Sequence, residues 1–117
     1  MFRFQKFAIY PEIRAFIKEC FKLSHSFPKF EQFELASQLR RAATSILLNL
    51  AEGSAKKSDA ELNRFIMVSI GSLSEIVAIL DIALDQGYIN QEIYKDFLIK
   101  VESIAKQLYG FSRKLKS

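Results

Sequence analysis

Proline is confined to two positions, Pro11 and Pro28, so nothing beyond residue 28 carries the ring that breaks a helix. Glycine adds four weaker points, at 53, 71, 87 and 110. Between them, apolar residues return at three- and four-residue steps, the period of one helix face. A chain of 117 residues with so few breaks is expected to form long helices joined by short loops, in one domain spanning residues 1–117. Strand-like alternation of useful length, internal repeats and low-complexity stretches are absent from the sequence.

Four helices follow from the punctuation. The first runs from about Pro11 to Ser24, where proline suits a first helical position because its missing N–H is not needed. Its stripe is Ile9, Ile13, Phe16, Ile17, Cys20 and Phe21, and Phe27-Pro28 ends it. The second runs from about Phe33 to Ala55, with Leu35, Leu39, Ala42, Ala43, Ile46 and Leu50 on its core face. Ser58-Asp59-Ala60-Glu61 spells a capping box that starts the third, and Gly87 stops it after Gln86. Its stripe is Leu62, Phe65, Ile66, Ser69, Leu73, Ile76, Leu80 and Ala83. Asn90 caps the fourth, whose stripe is Ile93, Phe97, Val101, Ile104, Leu108, Phe111 and Leu115. Four amphipathic helices with short connections predict an all-α, antiparallel up-down-up-down four-helix bundle.

The second helix carries a puzzle in the run QLRRAATSILLNLAEG. At about 100° per residue, Gln38, Arg41, Ser45, Asn49 and Glu52 fall in one narrow polar line. The core stripe lies to one side of it and Leu48 to the other. The third helix repeats the pattern, with Val68, Ile79 and Ile82 away from its core seam beside Gly71 and Glu75. A helix that is apolar on more than one side is buried on more than one side, so a subunit interface is expected here. The polar line then reads as a hydrogen-bonding seam, with Arg41 and Glu75 placed for an ion pair.

Net charge is +4, unevenly spread. Residues 1–41 hold eight Lys/Arg against four Glu, residues 58–94 hold only Arg64 against six acids, and residues 95–117 hold six bases against Asp96 and Glu102. Such segregation either makes a basic face that attracts polyanions or lays basic helices beside acidic ones. No apolar run approaches the ~20 residues of a membrane span, and the start lacks the pattern of a signal peptide. Cys20 is the only cysteine, which excludes an internal disulfide or a cysteine cage for zinc. A cytoplasmic protein with no membrane contact is the expectation.

The run from Phe27 to Ile76 resembles the S23 or 23S rRNA-intervening-sequence protein family. The resemblance rests on Phe27-Pro28 with Glu31 or Glu34, then Gln38 to Ala42, Ser45, Ile46, Asn49 and Ala51 to Gly53. Arg64-Phe65 and Gly71 to Glu75 complete it. It departs after Ala-Glu-Gly, where the family tends to carry an arginine and this chain has Lys56 and Lys57, which lack a planar fork for bidentate contact. The resemblance implies a bundle assembled as a homopentamer. Genes of this family are often found in insertions within ribosomal RNA genes. A related protein, the accessory variability determinant of diversity-generating retroelements, looks like the same barrel and partners a reverse transcriptase and nucleic acid.

Catalytic chemistry finds little to stand on. His25 is the sole histidine and sits near a helix end, Cys20 lies on an apolar stripe, and Gly53 stands alone rather than in a phosphate-cradling loop. Repeated Glu-x-x-His of a di-iron bundle is absent, so neither metal nor cofactor is expected, nor an enzyme. Candidate phosphate contacts are Arg40, Lys56, Lys57 and Arg64 near the second connection, and Arg113, Lys114 and Lys116 in the tail. The expected function is therefore an oligomer that binds RNA or DNA through these basic positions. The other reading is a scaffold that docks a partner protein, such as a nucleic-acid enzyme, without touching nucleic acid.

Overall fold

A computed structural model describes residues 2–115. The chain is all-α: four α-helices and two short 3-10 turns, with no strand among the described residues. Helix α1 spans Tyr10–His25, α2 Leu35–Ser54, α3 Asp59–Asp85 and α4 Gln91–Lys114. A 3-10 turn at Arg3–Lys6 precedes α1, and another at Lys29–Glu31 lies between α1 and α2. The molecule measures 44 × 23 × 20 Å. Its length is that of α3, since 27 residues at 1.5 Å each reach about 40 Å.

The helix ends form where the residue chemistry calls for them. Ser58 Oγ accepts from the Glu61 N–H at 3.1 Å, and Asn90 Oδ1 accepts from the Ile93 N–H at 2.8 Å. After α3, Gly87 takes φ +75°, the left-handed conformation that a Cβ disfavours. The Tyr88 and Gly87 N–H groups then turn back to the Ala83 and Leu84 carbonyls at 2.8 and 3.0 Å, closing a Schellman motif. Helix α2 starts at Leu35 rather than Phe33. Glu34 is out of helical geometry, and the Lys29–Glu31 turn has already used this stretch of backbone.

Contacts fix which parts of the helices meet. Along α2 and α3, Gly53 lies against Phe65, Ser69 Oγ donates to the Ile46 carbonyl at 2.8 Å, and Ser72 Oγ donates to Ser45 Oγ at 2.8 Å. Between α1 and α4, Lys100 bridges to Glu19, Phe16 meets Phe97, and Glu12 accepts from Ser103 and Gln107. Between α3 and α4, Ser112 donates to Asn63 near one end and Tyr94 donates to Asp81 toward the other. The core that results contains Phe16, Leu39, Ile46, Leu50, Ile66, Leu73, Ile76, Leu80, Ile104 and Leu108, all essentially without exposure.

Helix α3 requires a correction to the sequence reading. By length and composition it passes as a membrane span, with an 18-residue window of mean hydropathy 2.0. Ser69, Ser72, Ser74 and Glu75 interrupt the run residue by residue but hardly lower its average. Within the chain, 44% of that window is buried. Ile79, expected on the outer face, is only 3% exposed and belongs to the core. Helix α3 packs on both α2 and α4, so its buried arc is wider than a single seam.

At Gly53, α2 and α3 approach closely. A Cβ there would stand 2.7 Å from Phe65 Cβ, an atom tied to the α3 backbone. Gly53→Ala is therefore expected to cost about 1–3 kcal/mol through overpacking, despite alanine's better helix propensity. Gly110→Ala, whose Cβ would meet nothing nearer than 3.9 Å, is expected to gain up to about 1 kcal/mol. Thermal unfolding of the two variants should shift in opposite directions, and equal shifts would refute the close approach.

Candidate nucleic-acid interface

The fold collects bases at one end. The loop after α2 brings Lys56 and Lys57, the first turns of α3 bring Arg64, and the last turn of α4 brings Arg113 and Lys114. These segments are tied together by the Ser112–Asn63 hydrogen bond and the Gly53–Phe65 contact. The amino-terminal turn joins them, because Phe7 packs edge-on against Phe111 of α4 with centroids 4.8 Å apart. That adds Arg3 and Lys6, which the sequence reading passed over. The signal was present in FRFQKF, an interleaving of rings and bases that had served only to exclude a signal peptide.

Several of these cations stand on aromatic faces. The Arg64 guanidinium lies 4.5 Å from the Phe65 centroid and Lys56 Nζ 5.7 Å from the same ring. Arg3 lies 5.8 Å over Phe7, and Arg14 5.4 Å over Tyr10. Ring faces attract cations by about 0.5–1 kcal/mol at exposed sites, which orients the charges without neutralising them. Lys57, Arg64, Arg113 and Lys114 are exposed and Lys56 is half-buried. The acids nearby include Glu52, Asp59 and Glu61, the last two in the first turn of α3, where carboxylates suit a helix N-terminus. Lys116 lies outside the described residues.

Arg40 does not belong to this cluster. It sits near the start of α2, toward the other end of the molecule, and is half-buried. Its guanidinium donates to Ser24 Oγ at 2.9 Å, the Gln32 carbonyl at 2.9 Å and Gln32 Oε1 at 3.4 Å. Gln32 in turn donates to the Ser24 and Phe27 carbonyls. Arg40 is thus spent in locking the end of α1 to the start of α2, and its place as a phosphate contact is withdrawn. That opposite end is mixed in charge: it carries Glu31, Glu34, Asp81, Asp85 and Glu92 together with Lys22, Lys29, Arg41 and Lys95, and the Tyr88 hydroxyl donates to Glu31 at 2.8 Å.

Two of the five residues of the polar line on α2, Ser45 and Asn49, are satisfied within the chain. Asn49 Nδ2 donates to the Ser45 carbonyl and hydroxyl at 2.9 and 2.8 Å, and Ser45 Oγ also accepts from Ser72. Polar residues therefore appear where α2 meets α3 at the edge of the core. Gln38, Arg41 and Glu52 are exposed, as are Gly71 and Glu75. Arg41 and Glu75 line one depression with Gln38, Ala42 and Ser45, yet no ion pair joins them. Gly53 is buried against Phe65 and takes no part in an outer face. Apolar side chains stay open beside these polar ones: Leu48 is 61% exposed, Val68 44% and Ile82 47%.

Cys20 is fully buried, and burial pushes its thiol up to about 12, where no thiolate forms at neutral pH. His25 is exposed at the end of α1. Lys100 is held above its ordinary range by hydrogen bonds to Asp96 and Glu19. No group of three or more His, Cys, Asp or Glu residues able to hold a metal occurs among the described residues.

The architecture defines a class: an all-α protein of four helices, with a cluster of exposed bases from several segments at one end. The chain belongs to the 23S rRNA-intervening sequence protein family, whose model matches residues 5–110. No curated protein matches it.

Proposed function

We propose that this chain is a non-enzymatic, oligomeric nucleic-acid-binding protein, an antiparallel up-down-up-down bundle that assembles as a homopentamer in the cytoplasm. The antiparallel order is supported by the paired contacts: as residue numbers rise along one helix of a pair, their partners' numbers fall along the other. Self-association is supported by Leu48, Val68 and Ile82, open on helices that are apolar on more than one side. In a cyclic assembly every protomer points the same way along the axis. Protomers standing along that axis would set five basic ends on one rim, and repeated weak contacts give avidity on a long polyanion.

The observation that carries the reading is the convergence of Lys56, Lys57, Arg64, Arg113 and Lys114, distant in sequence, at one end of the molecule. The family's printed name, which ties it to an insertion in ribosomal RNA, agrees with a nucleic-acid partner. The test is direct binding of a labelled oligonucleotide at low salt, read by anisotropy. A dissociation constant at or below roughly 10⁻⁶ M is expected, and no association even below physiological salt would sink the reading.

A scaffold for a partner protein is the second reading. Phe33 at 92% exposure and Phe30 at 74% favour it, since both rings stand at the opposite end, away from the basic cluster. Under that reading the Phe30→Ala/Phe33→Ala variant loses a co-purifying protein while oligonucleotide binding stays absent throughout.

A further inference from the structure

We infer that the amino-terminal turn makes the basic end selective for unpaired strands, with Phe2 as a platform on which a base stacks and Arg3 and Lys6 as phosphate contacts beside it. The inference rests on the nucleic-acid reading above and names the class of polymer that site takes.

The turn packs against α1 and α2 but fully buries none of Arg3–Lys6, and it leaves a ring and two bases open. The Phe2 N–H donates to Gln5 Oε1 at 3.0 Å, and the Gln5 N–H returns to the Phe2 carbonyl at 3.1 Å. The Phe7 N–H reaches the Phe4 carbonyl at 3.2 Å, and the Tyr10 N–H reaches the Phe7 carbonyl at 3.0 Å, which joins the turn to α1. Phe4 packs edge-on against Tyr10 at 5.7 Å and Phe7 against Phe111 at 4.8 Å. Two of the three rings therefore anchor the turn. Phe2 is left 74% exposed, nearly parallel to Phe4 at 29° with centroids 6.4 Å apart.

An ordered aromatic ring held open beside cations is what a single strand uses. Base faces are hidden inside a duplex and free in single strands, loops and ends, where they stack on aromatic side chains. A duplex can take only the phosphate contacts of this surface. An anionic membrane would also accept a ring among bases, but interfacial anchoring needs a broad apolar face. Here Phe2 is the one large apolar side chain of the turn left open, with Arg3 and Lys6 exposed around it. Phe2, Arg3 and Phe4 also precede the stretch matched by the family model, so the feature is read from this chain and not from the family.

The test compares oligo-dT, oligo-rU and a duplex of equal length by anisotropy, with wild-type protein, Phe2→Ala and Phe2→Trp. Loss of one stacked base is expected to weaken both single strands by roughly fivefold to a hundredfold in Phe2→Ala. Duplex binding should not move, and Phe2→Trp should hold single-strand affinity at or above wild type. Phe2 is 74% exposed and is not a core residue, so circular dichroism of both variants should match wild type. Equal effects of Phe2→Ala on single strand and duplex, or no effect on either, overturn the inference while leaving polyanion binding intact. Loss of Phe2→Ala binding to phosphatidylserine vesicles, with oligonucleotide binding unchanged, also overturns it. Absence of binding to every oligonucleotide removes both this inference and the reading beneath it.

Discussion

Leu48→Asp combined with Val68→Asp is expected to drop the particle mass to 13.5 kDa, the mass of one chain, from a multiple of it in the wild type. Both side chains are largely open in the isolated chain, at 61% and 44% exposure, so a polar replacement there costs a monomer within about 0.5 kcal/mol. In an assembly that covers them, each aspartate would be a charge taken out of water without a partner, which costs several kcal/mol or forces the contact open. A ring repeats each contact around its circumference, so the penalty recurs at every interface. Light scattering reads the mass, and circular dichroism should show unchanged helicity. Ile79→Asp is the contrast: Ile79 is 3% exposed within its own chain, and this variant should lose its fold rather than only its partners. A wild type that already scatters as 13.5 kDa at working concentration would end the assembly argument, and unfolding of Leu48→Asp/Val68→Asp would place those residues in the core.

The contrast between Ile79 and Val68 shows where sequence reading stopped. Helix existence and ends were legible because they rest on local chemistry: proline at 11 and 28, the serine and asparagine caps at 58 and 90, and glycine at 87, the one position with positive φ among the described residues. Which apolar residues of α3 face inward depends on how many neighbours that helix has. Contact with both α2 and α4 widens the buried arc to include Ile70, Ser72 and Ile79, which a single seam leaves out. Ser45 and Asn49 were legible as polar residues beside a core, but the Ser72 hydroxyl that donates to Ser45 lies 27 positions beyond it. Charges were the least legible. In the sequence Arg40 and Arg41 are adjacent and alike, yet one is fully engaged with Ser24 and Gln32 while the other is exposed. Likewise Arg3, Lys57 and Arg113 belong to one cluster only because the ends of α2 and α4, the start of α3 and the amino-terminal turn converge.

Removing Lys56, Lys57, Arg64 and Arg113 together should flatten the salt dependence of oligonucleotide binding. Each neutralised phosphate contributes a slope of about −0.7 on single strands and −0.9 on B-form DNA in log affinity against log salt. Seven contacts per chain, with Lys114, Arg3 and Lys6 completing the set, lose roughly three to four orders of magnitude between about 50 and 200 mM salt. Alanine at four of the seven leaves three contacts, whose loss over the same range is roughly one to two orders of magnitude. The change comes from charge and not from folding, because Lys57, Arg64 and Arg113 are exposed and make no ion pair among the described residues. Two controls separate this surface from net charge. Lys29→Ala/Lys95→Ala removes two exposed bases toward the opposite end and should keep the wild-type slope. Arg40→Ala should keep the slope but lower the melting temperature, because it strands the Ser24–Gln32 network at the α1–α2 junction. If all of these variants instead share one reduced slope, the protein attracts polyanions only through its overall charge, and the convergence of bases at one end has no bearing on binding.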